Sequence, residues 1–453
     1  MDATTKDRSI YRKIAVLALP TVAYNIIEIG LGLTDLFMVR SFGSAATAAL
    51  GLNRQITFLF EAMILAVSVG VVTLISQNLA KNETEKVERI VAQSIVLITT
   101  LASLLGLLGF LFSPILLRVV QASPETAEFA IGYLKIYCIS LVFLGINAVG
   151  AAILRAAQNP WLPLKIAIAM AILNVPLNYA FIHGAFGAPQ LGVEGAAVGT
   201  LIARVLGSLT FLGALIIGKH NTPLKPARLT SFDTSITRGI LSVGVPIAIA
   251  GLLRNGARIV YIGIVGFSVL GVSMHAAVGL GLQVRLMGVL PALAFQVALA
   301  TLVGDAIGRG DYAHAEEIGK RGVYFLGVVM FALCGAIALL AQPIAATFID
   351  DTEGAQLGAH VLRWFAVGQF FSTLAIGAQG ALSGAGDTKP VARITFLTQW
   401  IILVPLTYLL LVPLNIDPNG PLYAWTIAPI LNFALMYRRF LSGAWKSLDQ
   451  SSN

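Results

Sequence analysis

Apolar runs of membrane-spanning length recur twelve times along this 453-residue chain. A helix needs about 20 consecutive, mostly apolar residues to cross a hydrocarbon core. Runs of that kind fall at roughly 14–42, 51–79, 90–117, 127–155, 162–183 and 192–218. A second set falls at roughly 238–267, 276–307, 317–347, 359–384, 391–413 and 420–437. Helix is forced on such runs, because an isolated strand in lipid would leave its backbone N–H and C=O groups unpaired. Composition agrees: 57% of the residues are hydrophobic and 11% are charged, whereas soluble domains carry about a quarter charged residues. The expected fold is therefore an all-α membrane protein with twelve transmembrane helices.

Loop charges test that count. Every second loop is the more basic one: Lys6/Arg8/Arg12/Lys13, Lys81/Lys86/Arg89, Arg155/Lys165, Lys219/Lys225/Arg228/Arg238, Arg309/Lys320/Arg321, Lys389/Arg393 and Arg438/Arg439/Lys446. A missed or invented span would break the alternation from that point onward. The positive-inside rule then puts both termini on the cytoplasmic side of a plasma membrane, a bacterial inner membrane by this reading. It also accounts for the excess of 30 Lys and Arg over 22 Asp and Glu without a nucleic-acid partner. The apolar stretch after Lys13 is too long for a signal-peptide core and reads as the first span. Cys138 and Cys334 lie inside apolar runs and read as small buried hydrophobes.

The chain also repeats itself. With a shift of about 226 to 229 residues, Pro20 meets Pro246, Glu88 meets Glu316, Pro176 meets Pro405, and Gly192 meets Gly420. Six helices per copy is an even number, so both copies enter from the same side, as parallel repeats do. The expected organisation is a first lobe over 1–218, a basic cytoplasmic linker over 219–237, and a second lobe over 238–453. Two such halves suit a machine that alternates access around a central cavity.

Several motifs are more particular. The first span reads Leu19-Pro20-Thr21-Val22, then Gly32-Leu33-Thr34-Asp35-Leu36-Phe37-Met38-Val39. Ser76-Gln77-Asn78-Leu79-Ala80-Lys81-Asn82 follows the second span, and Gly384-Ala385-Gly386-Asp387-Thr388-Lys389-Pro390 follows the tenth. In their order these motifs resemble those of multidrug and toxic compound extrusion (MATE) transporters over the whole chain. Asp35 points to the DinF-like branch, where the resemblance implies a coupling acid. Two departures stand out. Asn178 occupies the place of that branch's frequent second carboxylate in helix 5. Arg254 occupies the place of the acid on helix 7 of the sodium-coupled branch, and no acid lies between Glu353 and Asp387.

A carboxylate within a spanning helix is costly to bury and is a functional candidate by default. The first two spans hold three, Glu28, Asp35 and Glu61, any of which can instead serve structure by facing water or pairing with a base. Helix counting from the cytoplasmic start puts Asp35 near the outer end of helix 1. Asn174 and Asn178, spaced i, i+4, share one face of helix 5 near its outer end. Thr200 and Tyr133 fall at similar depth, so these five groups form a candidate hydrogen-bonded network for substrate and protons. Ordinary interhelical bonding for the amides and hydroxyl, and an interfacial anchor for Tyr133, are the plainer readings. Pro20 removes a helical hydrogen bond and is a candidate hinge. Arg254 and Arg258 (i, i+4) with Arg285 are expected to pair with acids or helix ends; the sharper reading is a basic wall for an anionic or amphipathic ligand.

No G-x-x-x-x-G-K-[ST] occurs and the five histidines show no metal-ligand spacing. The reading is a transporter, not an enzyme: a secondary antiporter exporting cationic or amphipathic organic compounds against protons at Asp35, without a cofactor or metal. A sodium-coupled exporter and a lipid-linked substrate flippase are the alternatives. Its partners are small organic cations or amphipathic drugs and membrane lipid, and the protein is read as a monomer.

Overall fold

The computed structural model describes residues 3–120, 123–218, 222–229 and 233–447. Lys219 lies outside them, as do the side chains of Lys6 and Arg8. No strand occurs among the described residues. The first half comprises α1 (Ala3–Val39), α2 (Ser44–Ala80), α3 (Thr84–Val119), α4 (Pro124–Ala156), α5 (Trp161–His183) and α6 (Val193–Ile217). The second half comprises α7 (Thr234–Val265), α8 (Gly271–Gly308), α9 (Tyr312–Leu339), a short α10 (Ala341–Phe348) and α11 (Thr352–Gly384). It continues through α12 (Lys389–Phe396), a π-helical segment (Leu397–Leu403), α13 (Val404–Leu411) and α14 (Asn419–Leu441).

Eleven described segments are long and apolar enough to cross a membrane, with Lys389–Leu411 counting as one. The twelfth expected span is α14, whose 23 residues suffice in length. Pro421, Asn432, Arg438 and Arg439 lower its hydropathy. Two local departures from the expected spans have identifiable causes. The run at 317–347 is broken, because Pro343 lacks the N–H that would bond back to Leu339; α9 ends there and α10 starts anew. In the eleventh span Pro405 removes the bond to Ile401, and the preceding turns widen into π geometry.

The chain forms two compact units, Leu19–Val245, and Met1–Ala18 together with Pro246–Asn453. The first thus takes in the linker and the opening of α7, and the second takes in the opening of α1. The chain changes unit between Ala18 and Leu19, one residue ahead of Pro20, and again immediately before Pro246. Within the first unit α4 is the hub, packing on α2, α3 and α6, while α5 packs on α6. Within the second, α11 takes the same part against α8, α9 and α14.

The repeat extends to side chains. Buried Glu88 accepts an ion pair from Lys225 at 2.7 Å, and its counterpart Glu316 accepts one from Lys446 at 2.8 Å. In each copy the lysine comes from the segment that follows the sixth span. The glycine-rich turn after α11 also has its reasons. Gly386 takes a positive φ of 76°, and Asp387 pairs with Arg439 at 2.7 Å.

Close helix approach in the first unit depends on Gly199, whose missing side chain leaves room for Asn178 of α5. Gly199→Ala pushes on that amide and its backbone and is expected to destabilise by ~1–3 kcal/mol, as overpacking does. Gly213→Ala, on the same helix with open space around it, serves as the control. Thermal unfolding in detergent should show a lower Tm for the first variant and none for the second.

Candidate functional site

Four side chains from α4, α5 and α6 gather around the carboxylate of Asp35 on α1. Asp35 is 4% exposed, and Asn174 and Asn178 are fully buried. Asn178 Nδ2 donates to Asp35 Oδ1 at 2.6 Å. Thr200 Oγ1 lies 3.1 Å from Oδ2 and 3.2 Å from Oδ1, and Tyr133 OH donates to Oδ2 at 3.3 Å. Asn174 forms the next layer. It donates to Thr200 Oγ1 at 2.9 Å and to Asn178 Oδ1 at 3.3 Å, and it accepts from Asn178 Nδ2 at 3.2 Å.

Local structure explains the convergence. Asn174 and Asn178 stand one turn apart on α5, so their amides meet and exchange bonds. Pro176 lies between them and takes no part in the pairing. Thr200, the eighth residue of α6, faces α5 where Gly199 permits close approach. The bonding is also complete. Each N–H of the two amides has an acceptor within the cluster. The amide orientation follows from that network. No ion pair to Asp35 occurs among the described residues, so every group bonded to it is neutral.

The other two carboxylates occupy a different cluster nearby. Tyr137 OH donates to Glu61 Oε1 at 2.7 Å. Arg204 places its guanidinium 4.7 Å from the centre of the Tyr137 ring and donates to Ser140 Oγ at 2.6 Å. Arg204 is within electrostatic reach of Glu28, Glu61 and Asp35. Glu28 is half-buried and Glu61 exposed, in contrast to Asp35. The rings of Tyr133 and Tyr137 stack at 6.5 Å and connect the two clusters. Sequence reading missed Arg204, Tyr137 and Ser140. The available signal was spacing: Arg204 follows Thr200, and Tyr137 follows Tyr133, by one helical turn.

The second repeat has no such site. Fifteen residues after Pro246, where Asp35 follows Pro20, stands Tyr261. By the same register Asn174 corresponds to Leu403, two residues before Pro405, and Thr200 to Ala428, eight residues after Gly420. Tyr133 corresponds to Val361, each 23 residues before its helix end at Ala156 or Gly384. Tyr261, Val361, Leu403 and Ala428 all lie in one hydrophobic cluster with Phe365 and Trp425. The position that is polar in one copy is packed with apolar side chains in the other. Arg254 and Arg285 lie in this second unit; Arg254 donates to Gln379 Oε1 at 2.9 Å. Among the described residues neither they nor Arg258 pair with an acid, contrary to the plainer expectation from sequence.

The MatE family model matches residues 20–180 and 246–409, together more than half of the chain, each match beginning at the repeat's proline. The chain belongs to the MATE family. MATE proteins are membrane transporters, not enzymes, and the many apolar helices agree with a multi-pass transporter. This MATE chain is 27% identical over 438 residues to a probable multidrug resistance protein NorM of Thermotoga maritima, covering 96% of this chain and 93% of that one. Its fold is similar to a crystal structure of MATE in the bent conformation, with a TM-score of 0.87, 21% identity and 97% of each chain covered. It is also similar to a MOP superfamily transporter from Pyrococcus furiosus Vc1, described as having a binding pocket of reverse polarity. That match has a TM-score of 0.86 and 20% identity and covers 96% of this chain and 97% of the other.

Removing one donor to a buried carboxylate is expected to cost ~1.5–3 kcal/mol, the range for hydrogen bonds to charged groups. Asn178→Ala should therefore lower Tm markedly at neutral pH. In an Asp35→Asn background the same substitution should cost much less, and the double-mutant cycle should give a coupling energy well above zero.

Proposed function

We propose that this MATE protein is a secondary multidrug antiporter that exports cationic or amphipathic organic compounds in exchange for protons bound at Asp35. The observation that carries the reading is a buried carboxylate whose bonded partners are all neutral. A carboxylate paired with a guanidinium or ammonium would be held ionised by the fixed cation. Here Thr200 and Tyr133 contribute hydroxyls, which can donate to the ionised form or rotate to accept from the protonated one. The cluster can therefore satisfy both protonation states with side-chain rotations alone. In the ionised form the site attracts a cation; a proton cancels that attraction, so proton and cation compete.

The amide geometry favours a proton over sodium. Hard cations take oxygen ligands, and Asn178 turns its Nδ2 toward Asp35 while both amide oxygens are engaged within the Asn174–Asn178 pair. Sodium binding would require that pair to reopen. The departures at Arg254 and along α11 support the same choice, since α7 carries no carboxylate and α11 carries none beyond Glu353 in its first turn. Pro20 is the proposed flexible point of α1. The two six-helix lobes act as the alternating elements, the protein sits in a bacterial inner membrane with both termini cytoplasmic, and the DinF-like branch describes it best. Arg204 acts as a positioning residue that holds Glu28, Glu61 and Tyr137 beside the Asp35 cluster.

Reconstituted proteoliposomes test the coupling. An imposed pH gradient without sodium should drive ethidium transport by wild type, and Asp35→Asn should abolish it. Asn178→Leu should reduce it at least tenfold, whereas Asn178→Asp should retain exchange. Transport driven only by a sodium gradient, or unchanged in Asp35→Asn, would refute the proton assignment.

A further inference from the structure

The first two spans of each repeat differ in the charged residues they hold. Three carboxylates, Glu28, Asp35 and Glu61, lie in the first unit. Between Pro246 and Gly304 the second unit has no Asp or Glu, but it holds Arg254, Arg258 and Arg285. One pair of equivalent positions is a direct inversion: Glu28 lies eight residues after Pro20, and Arg254 lies eight residues after Pro246.

Among the described residues no acid faces these arginines. Arg254 and Arg258 are one turn apart on α7, and both are within electrostatic reach of Arg285 on α8. All three are half-buried. Their only hydrogen bond to a described side chain is from Arg254 to the neutral oxygen of Gln379. The buried Nε of Arg285 has no partner among the described residues. A guanidinium carries five N–H donors, so most of the donors in this group remain available. Snorkelling does not explain Arg285, which stands 14 residues after the start of α8 and 23 before its end. An arginine near the centre of a spanning helix costs ~2.5–3.5 kcal/mol on an insertion scale, and three together also repel one another.

A second observation lies on the same face of α8. Gln369 of α11 is 4% exposed, yet neither its Nε2 nor its Oε1 has a partner among the described residues. It rests against Gly288, one turn from Arg285. A buried, wholly unsatisfied amide thus lies one turn along α8 from a guanidinium whose Nε is also unpartnered.

We infer that Arg254, Arg258 and Arg285 form an anion-binding site in the second unit for the phosphate or carboxylate of an amphipathic molecule. Guanidinium forks suit such groups because they offer two parallel N–H donors to two oxygens. The apolar surroundings suit the hydrocarbon portion of the same molecule. This site stands apart from Asp35 and does not depend on the antiport reading. Two sources share the chemistry, a soluble organic anion and an anionic lipid headgroup.

Calorimetric titration of the full-length protein in phosphatidylcholine nanodiscs tests the inference, with 2-naphthyl phosphate as probe and uncharged 2-naphthol as control. Wild type should bind the phosphate at least tenfold more tightly than the naphthol. Arg254→Gln and Arg285→Gln should each remove most of that preference, and the exposed Arg363→Gln should not. Arg285→Lys, which keeps the charge without the fork, should retain part of it, and Arg254→Glu, the residue of the equivalent position, should abolish it. Asp35→Asn should bind the phosphate as wild type does, so failure of the antiport reading would leave this result standing. If phosphatidylglycerol in the nanodisc weakens the probe in wild type, a lipid headgroup is the occupant; if it does not, a soluble anion is. Equal affinity for phosphate and naphthol, or equal phosphate affinity in wild type and an Arg254→Gln/Arg285→Gln variant, would overturn the inference.

Discussion

A charge inside a membrane-spanning bundle has to be satisfied by the bundle itself. Much of the first unit serves to satisfy one carboxylate, Asp35, with neutral groups. Tyr133, Asn178 and Thr200 reach it from three other helices, and Asn174 behind them bonds Asn178 and Thr200. That requirement constrains the backbone as well as the side chains. The donors must arrive at a common depth, α5 and α6 must approach closely at Gly199, and the two amides must lie one turn apart. Protonation of Asp35 changes the electrostatics of this cluster without stranding a charged partner, which is the property a proton-coupled site needs.

The duplicated architecture shows how little of a fold is tied to its chemistry. Both units keep a hub helix, a proline at the unit boundary and a glutamate–lysine clasp behind the sixth span. Their interiors differ. Four positions equivalent to the Asp35 cluster form a packed core with Phe365 and Trp425, and the sign of the charge eight residues after the proline is reversed. The two units share the helical frame and differ in what their interiors hold.

Much of this was legible before any coordinates. Hydrophobic run length and alternating loop charge give the spans, because lipid leaves the backbone no alternative to helix. Counting residues from the helix ends brings Asp35, Asn174, Asn178, Thr200 and Tyr133 to one depth, since rise per residue is fixed. Other features depend on tertiary contacts that no local pattern contains. Arg204 is unremarkable in sequence and becomes significant only when α4 brings Tyr137 and Ser140 beside it. Arginines inside α7 and α8 call for acidic partners on sequence grounds, and only the packing shows that none is there among the described residues. The break before α10 was readable from Pro343, but the apolar run through it masked the stop.

The central claim is that Asp35 exchanges its proton for a cationic ligand. The most direct measurement is proton release by purified protein in a weakly buffered detergent solution, followed with a pH-indicator dye as tetraphenylphosphonium is added. The account requires wild type to release protons on binding, in a saturable manner, and Asp35→Asn to bind without release. Equal release from both proteins, or binding by wild type with no release across the pH range where it is folded, would contradict it.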